Sequence, residues 1–186
     1  LDDDTALVSI MSANNETGVV FPIERIAEMV TSRGVLFHTD AVQIVGKMPL
    51  KLSKSPVNLL SLSGHKLHAP KGVGVLYRNK RARIVSILHG GGQEGGRRAG
   101  TENIPAIVGA GVAAEVALST LNERRAHVAA LQERLWKGLS TRIPYIKLNG
   151  PVPGPDRSPL NINISTEFIE GEGQLLLCDM NGIAVA

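Results

Sequence analysis

Apolar positions in the first eighty residues fall into short runs separated by polar or glycine-rich stretches. Ala6-Leu-Val-Ser-Ile-Met11 is a nearly unbroken apolar run, the pattern of a strand buried on both faces. A polar loop follows, Ser12 to Gly18. Pro22 suits a first helical turn, Ile23, Ile26, Ala27 and Val30 recur at helical spacing, and Gly34 ends that helix. Val35 to His38, Leu59 to Leu62 and Gly74 to Tyr77 read as three further strands. The first of these runs stops at Thr39-Asp40 and the second at Ser63-Gly64-His65-Lys66. Strand, helix and strand in this order predict a βαβ unit, hence an α/β fold with a mainly parallel sheet and flanking helices.

The pattern changes in the second half. Gly90 to Gly100 is a glycine-rich basic loop, and from Pro105 to about Leu139 apolar residues recur at helical periods, predicting one long helix or two. Asn149 to Pro159 reads as a Pro/Gly linker, and Leu160-Asn-Ile-Asn-Ile164 alternates as a half-buried strand. Glu172 to Met180 predicts a helix ending at Asn181-Gly182, and Gly182 to Ala186 reads as a strand beginning. The shift from α/β to mixed α+β near residue 120 divides the chain into residues 1–120 and 121–186. The first residue is Leu1, and both ends fall in apolar runs, so the expectation is a piece of a longer protein.

Composition narrows the function classes. Of 186 residues, 43% are hydrophobic and 20% charged, which suits a soluble globular protein and excludes dominant disorder. No apolar run approaches the ~20 residues of a membrane-spanning helix. A lone cysteine, Cys178, excludes an internal disulfide framework and a Cys-based zinc site. The net charge of +3 is mild and its basic residues are scattered, so nucleic acid is not an expected partner.

In a parallel sheet, ligands bind outside the carboxyl ends of the strands. Three predicted strand ends carry Asn14-Asn15-Glu16, then Asp40 with Gln43, then Ser63-Gly-His65-Lys66. Taken singly, Asp40 reads as a helix N-cap, His65 as a satisfied buried histidine and Lys66 as a solvated lysine. Together they place an amide, a carboxylate and an amine at one sheet edge. Three other motifs are weaker. His65 and His68 lack a helix and a third metal ligand, so no metal is expected; Gly90-x-Gly92-x-x-Gly95 does not open a helix behind a strand; and no Walker-type lysine follows a glycine loop.

The amine has a matching chemistry. A lysine forms a Schiff base with pyridoxal phosphate, which then acts as an electron sink, and a carboxylate such as Asp40 keeps the pyridine nitrogen protonated. Ser63 and His65 flank the lysine and could donate to the phosphate, while Gln43 and Asn15 could bond the ring hydroxyl.

The segments His38-Thr-Asp40-Ala-Val-Gln43, Ser61-Leu-Ser63-Gly-His65-Lys66 and Gly90-Gly-Gly-Gln-Glu-Gly-Gly-Arg-Arg-Ala-Gly-Thr101-Glu-Asn103 resemble the cysteine desulfurases of the NifS/IscS type. Asn14-Asn15-Glu16-Thr-Gly18 and Glu170-Gly-Glu172 extend the resemblance over nearly the whole chain. That group lies in the class V aminotransferase branch of the fold-type-I pyridoxal-phosphate enzymes. The resemblance implies that Lys66 carries the cofactor, Asp40 pairs with the pyridine nitrogen and Gln43 contacts the ring oxygen. It implies that Asn15 contacts the ring and the substrate carboxylate side, that Ser63 and His65 hold the phosphate, and that Thr101 reaches the phosphate of a neighbouring subunit's cofactor in a homodimer. Residues 1–120 would be part of the cofactor-binding large domain and 121–186 part of the small C-terminal domain. The implied reaction converts L-cysteine to L-alanine, leaving sulfur as a persulfide for an iron–sulfur scaffold or another sulfur acceptor, in the cytoplasm or an organelle matrix.

Some of the family pattern lies outside these residues. A phosphate-binding Thr and a ring-stacking His precede them in the family, and the catalytic cysteine and substrate arginine follow the Ile-Ala-Val-Ala motif. Cys178 is not that nucleophile, because it sits in the apolar stretch Leu175 to Met180 and reads as a core residue. Residues 1–186 alone are therefore expected to be inactive. Two other readings stay open: a selenocysteine lyase, and a non-catalytic module binding a phosphate ligand or a protein.

Overall fold

The computed structural model describes residues 1–186, which divide into two compact units. The first comprises Leu1–Ala13 and Phe21–Arg125, the second Asn14–Val20 and Ala126–Ala186.

In the first unit, β1 (Leu7–Met11), β2 (Leu36–Asp40), β3 (Leu59–Ser63) and β4 (Gly74–Arg78) form one sheet in the order β1-β2-β3-β4. β1, β2 and β3 run parallel, while β4 is antiparallel to β3. Helix α1 (Ile23–Thr31) makes the crossover between β1 and β2. Its Ile23, Ala27 and Val30 lie at i, i+4 and i+7 and bury one stripe against Phe37, Ala41, Val57 and Leu60. This aliphatic layer is the core of the unit, with Val8 and Ile10 packed at its margin.

β1 is not buried on both faces. Val8 and Ile10 face the layer under α1, but Leu7 and Met11 remain 48% and 39% exposed. The apolar run reflects only the two alternating sides of the strand, and this unit covers one of them.

After β3 the chain tightens into a 3₁₀ turn, Gly64–Leu67. The glycine-rich loop contains α2 (Gln93–Gly96), a single turn in which Glu94 and Gly95 have positive φ. Helix α3 (Ile104–Ser119) follows, with Asn103 Oδ1 accepting from the Ala106 N–H at its start, and α4 (Leu121–Arg142) comes next. No single helix is long and apolar enough to cross a membrane.

The second unit contains α4 from Ala126 onward, β5 (Ile146–Leu148), β6 (Ile164–Thr166) and α5 (Gly171–Met180). β5 and β6 are antiparallel. The alternation at Leu160 to Ile164 therefore marks no strand before Ile164: Asn161 and Asn163 spend their side chains on hydrogen bonds instead. The terminal segment Gly182–Ala186 is also not a strand. Helix α5 has no buried residue, so Cys178 is half-buried rather than part of a core.

The centre of this unit is polar. Arg157 is 1% exposed and donates to the carbonyl oxygens of Asn149 and Pro151, and at 3.3 Å to both the carbonyl and Oδ1 of Asn161. Burial pushes its guanidinium below the ordinary arginine pKa. Buried Gln132 donates to the carbonyls of Ser158 at 2.7 Å and Asn161 at 2.8 Å.

One buried group in the first unit lacks a partner. Thr39, 1% exposed and on the same face of β2 as Phe37, has no hydrogen bond to its Oγ1. An unsatisfied buried hydroxyl opposes folding, so Thr39→Val is expected to stabilise the protein by about 1 kcal/mol. A urea midpoint that falls in the variant contradicts this.

Candidate active site

The carboxyl ends of β1, β2 and β3 meet at one edge of the sheet. Parallel pairing sets Met11 beside Asp40 and Asp40 beside Ser61. The chain leaves each strand still bonded to its neighbour. The Ser12 N–H and Oγ both donate to the Asp40 carbonyl, at 2.8 and 2.9 Å, and the Ala41 N–H donates to the Ser61 carbonyl at 2.9 Å. Side chains leaving these strand ends are thereby fixed relative to one another.

Asp40 is exposed at the end of β2, and its Oδ1 accepts from the Val42 N–H at 2.9 Å. That bond caps the turn that follows, as the capping alternative requires, and leaves the second carboxylate oxygen without a protein partner. Gln43 lies in the same turn and is half-buried. Its Oε1 accepts from Lys47 Nζ at 3.2 Å.

Ser63 closes β3, and its Oγ lies 2.8 Å from Nδ1 of His65. His65 is exposed, not a buried core histidine. Lys66 is also exposed, its Nζ makes no hydrogen bond, and its charge acts on Lys47. Asp40, Gln43, Ser63, His65 and Lys66 therefore belong to one sheet edge, set there by the pairing of β1, β2 and β3 and by the turns that leave β2 and β3.

Two candidates remain. Thr101 is exposed in the segment before α3, and its side chain makes no hydrogen bond. Asn15 belongs to the second unit, where Asn161 Nδ2 donates to the Asn15 and Glu16 carbonyls at 3.1 and 2.7 Å, and Asn163 Nδ2 donates to the Glu16 carbonyl at 3.0 Å.

A parallel sheet with an amine, a carboxylate, a carboxamide, a hydroxyl and an imidazole on its carboxyl edge can be compared with known proteins. The sequence family described as aminotransferase class-V matches residues 1–186. The chain belongs to the class V aminotransferase family. It is 51% identical over 186 residues to the cysteine desulfurase of Gluconacetobacter diazotrophicus, an alignment covering 100% of this chain and 46% of that protein. It is 51% identical over 187 residues to the cysteine desulfurase NifS of Azotobacter vinelandii, again covering 100% of this chain and 46% of the relative. A solved NifS-like protein superposes with a TM-score of 0.92 at 40% identity, over 100% of this chain and 50% of that one. The chain spans about half the length of the curated relatives it matches.

This class V aminotransferase chain holds polar residues at the site that the strand-end reading left without a role. Ser9, His38 and Ser61 line up across β1, β2 and β3. Ser9 Oγ lies 2.7 Å from His38 Nδ1, and His38 Nε2 lies 3.2 Å from Ser61 Oγ. The signal was present in the sequence as period-two spacing: His38 and Asp40 share one face of β2, and Ser61 and Ser63 share one face of β3.

Burial lowers the His38 pKa from its ordinary 6.5, against a smaller upward pull from Asp40. The folded chain thus holds His38 neutral where the unfolded chain already takes up a proton. Its contribution to stability is complete above 6.5 and is lost as pH falls from there toward the lowered folded value. On moving from about pH 7.5 to about pH 5.5, the wild-type urea midpoint is expected to fall further than that of His38→Asn. Parallel falls in the two proteins contradict the assignment.

Proposed function

We propose that the protein carrying this chain is a pyridoxal-phosphate-dependent cysteine desulfurase acting as a homodimer. The observation that carries the reading is Lys66 itself: an exposed amine without a hydrogen bond, on a turn at the carboxyl edge of the sheet, beside Asp40, Gln43, Ser63 and His65. The donor set suits that cofactor. A free amine answers an aldehyde, a carboxylate answers a pyridinium, and a hydroxyl with an imidazole answers a phosphate.

When bound, the cofactor supplies an electron sink for the substrate carbon. The rest falls to this chain. Lys66 would hold the cofactor through Nζ and, as a free amine, would take and return the Cα proton of the substrate as general base. Asp40 keeps a positive charge on the pyridine nitrogen through its partnerless oxygen. Gln43 donates to the ring oxygen, while Ser63 and His65 bind the phosphate. The family resemblance assigns Asn15 to the ring and the substrate carboxylate side, and Thr101 would serve the phosphate bound by the partner subunit. Residues 1–120 belong to the cofactor-binding domain and 121–186 to the small domain. Sulfur leaves to a cysteine other than Cys178, then to an iron–sulfur scaffold or another acceptor, in the cytoplasm or an organelle matrix. The names of the relatives support this substrate.

The test is product analysis on the full-length protein with pyridoxal phosphate and L-cysteine. One alanine should form per sulfur transferred. A keto acid with no alanine, whether mercaptopyruvate from transamination or pyruvate with ammonia and sulfide from β-elimination, would overturn the reading.

A further inference from the structure

The turn after β2 carries a second amine, which the proposed chemistry does not use. Lys47 is half-buried, and its Nζ donates to Gln43 Oε1 at 3.2 Å and to the Val42 carbonyl at 3.4 Å. The turn is held on three sides. Asp40 Oδ1 accepts from the Val42 N–H at 2.9 Å, and Arg124 Nη2 donates to the Gly46 carbonyl at 2.7 Å. Gly46, at φ +69°, sits so close to Leu67 and Ala117 that a Cβ there would collide with both. The backbone bearing Gln43 and Lys47 is thus pressed against the 3₁₀ turn that presents Lys66.

A carboxamide has one accepting end and one donating end, and its orientation follows from its partners. A lysine ammonium can only donate. With Lys47 on Oε1, the other end of Gln43, the NH₂ group, is the end left to meet a ligand. We propose that Lys47 is a positioning residue that fixes Gln43 with its NH₂ group toward the ring oxygen of the bound cofactor, so that this oxygen is held as the anion. The inference rests on the proposed reading of Gln43 as the neighbour of that oxygen.

The charged groups around Lys47 support the arrangement. Lys66 faces it from the 3₁₀ turn, Arg124 reaches the same turn from α4, and Asp40 caps it. Burial, and then the Lys66 charge, lower the Lys47 pKa from 10.5. That cost is tolerated where the ammonium has a fixed acceptor, and Gln43 supplies one.

The experiment is a pH titration of the visible absorption of the cofactor bound to the full-length protein. In Lys47→Met the midpoint is expected to rise by about one pH unit, because the anionic oxygen loses an oriented donor. Lys47→Arg should restore the wild-type midpoint. Combining Lys47→Met with Gln43→Ala should give the midpoint of Gln43→Ala alone, whereas a through-space effect of the Lys47 charge would make the two shifts add. Lys47→Leu serves in place of Lys47→Met if the latter does not fold. An unchanged midpoint in the Lys47 variant, or additive shifts, overturns the proposal while leaving the cofactor reading intact. Wild-type protein that gains no visible band, with no borohydride-stable cofactor on Lys66, overturns the cofactor reading and this inference with it.

Discussion

Lys66→Ala in the full-length protein is expected to lower alanine formation from cysteine by roughly 10³-fold or more, because on the proposed reading one side chain supplies both the covalent tether and the general base. The cofactor should still bind, more weakly, since Ser63 and His65 would hold its phosphate without the lysine. Their geometry does not depend on Lys66: Ser63 is fixed by β3, and its hydroxyl lies 2.8 Å from His65 Nδ1. The two measurements are turnover and retained cofactor after gel filtration. Near-normal turnover would return Lys66 to the status of a solvated surface lysine. Lost turnover with no cofactor affinity at all would remove Ser63 and His65 from the phosphate site.

The second large effect is structural. Arg157→Met replaces the buried guanidinium at the centre of the second unit with an apolar chain of similar reach. The carbonyls of Asn149 and Pro151 then lose this donor, while that of Asn161 keeps Gln132. Buried acceptors without partners cost about 1–3 kcal/mol each, and two of them are stranded together, so a loss of about 2 kcal/mol or more is expected. Arg157→Lys should recover only part, since an ammonium cannot reproduce a planar fork of five donors. Trp136, the one tryptophan, lies in this unit and reports its unfolding by fluorescence. A shift under about 0.5 kcal/mol would place Arg157 among ordinary surface positions.

The sheet was legible because its strands are written in local apolar runs and its single well-formed crossover in helical spacing. Placing Asp40, Gln43, Ser63, His65 and Lys66 at one edge required only that β1, β2 and β3 be parallel. The second unit was less legible, for a physical reason. Asn161 and Asn163 alternate with Leu160, Ile162 and Ile164 as strand residues would, yet their carboxamides bond the Asn15 and Glu16 carbonyls instead of facing water. A hydrogen bond to a distant carbonyl leaves no periodic trace. Lys47 was hidden similarly: Gln43 and Lys47 are four apart, but no helical pattern marks their turn, and only the folded backbone brings the ammonium to the amide. His38 stood inside a quoted motif and still had no role until Ser9 and Ser61 were seen on either side of it.

The bonds that hold Asn14–Val20 also set an order of events during synthesis. Asn15 leaves the ribosome early in this stretch, but the residue that bonds its carbonyl follows 146 positions later. At ordinary elongation rates of about 5–20 residues per second, that segment waits roughly seven to thirty seconds for its partner. Unlike the β1–α1–β2 crossover, which can close early on its own neighbours, it has only its own turn until Asp156, Ser158, Asn161 and Asn163 are made. A nascent chain stalled before them would carry the strand ends bearing Asp40 and Lys66 while Asn15 had no settled place, so the segment carrying Asn15 would be held only in the last quarter of this stretch of translation.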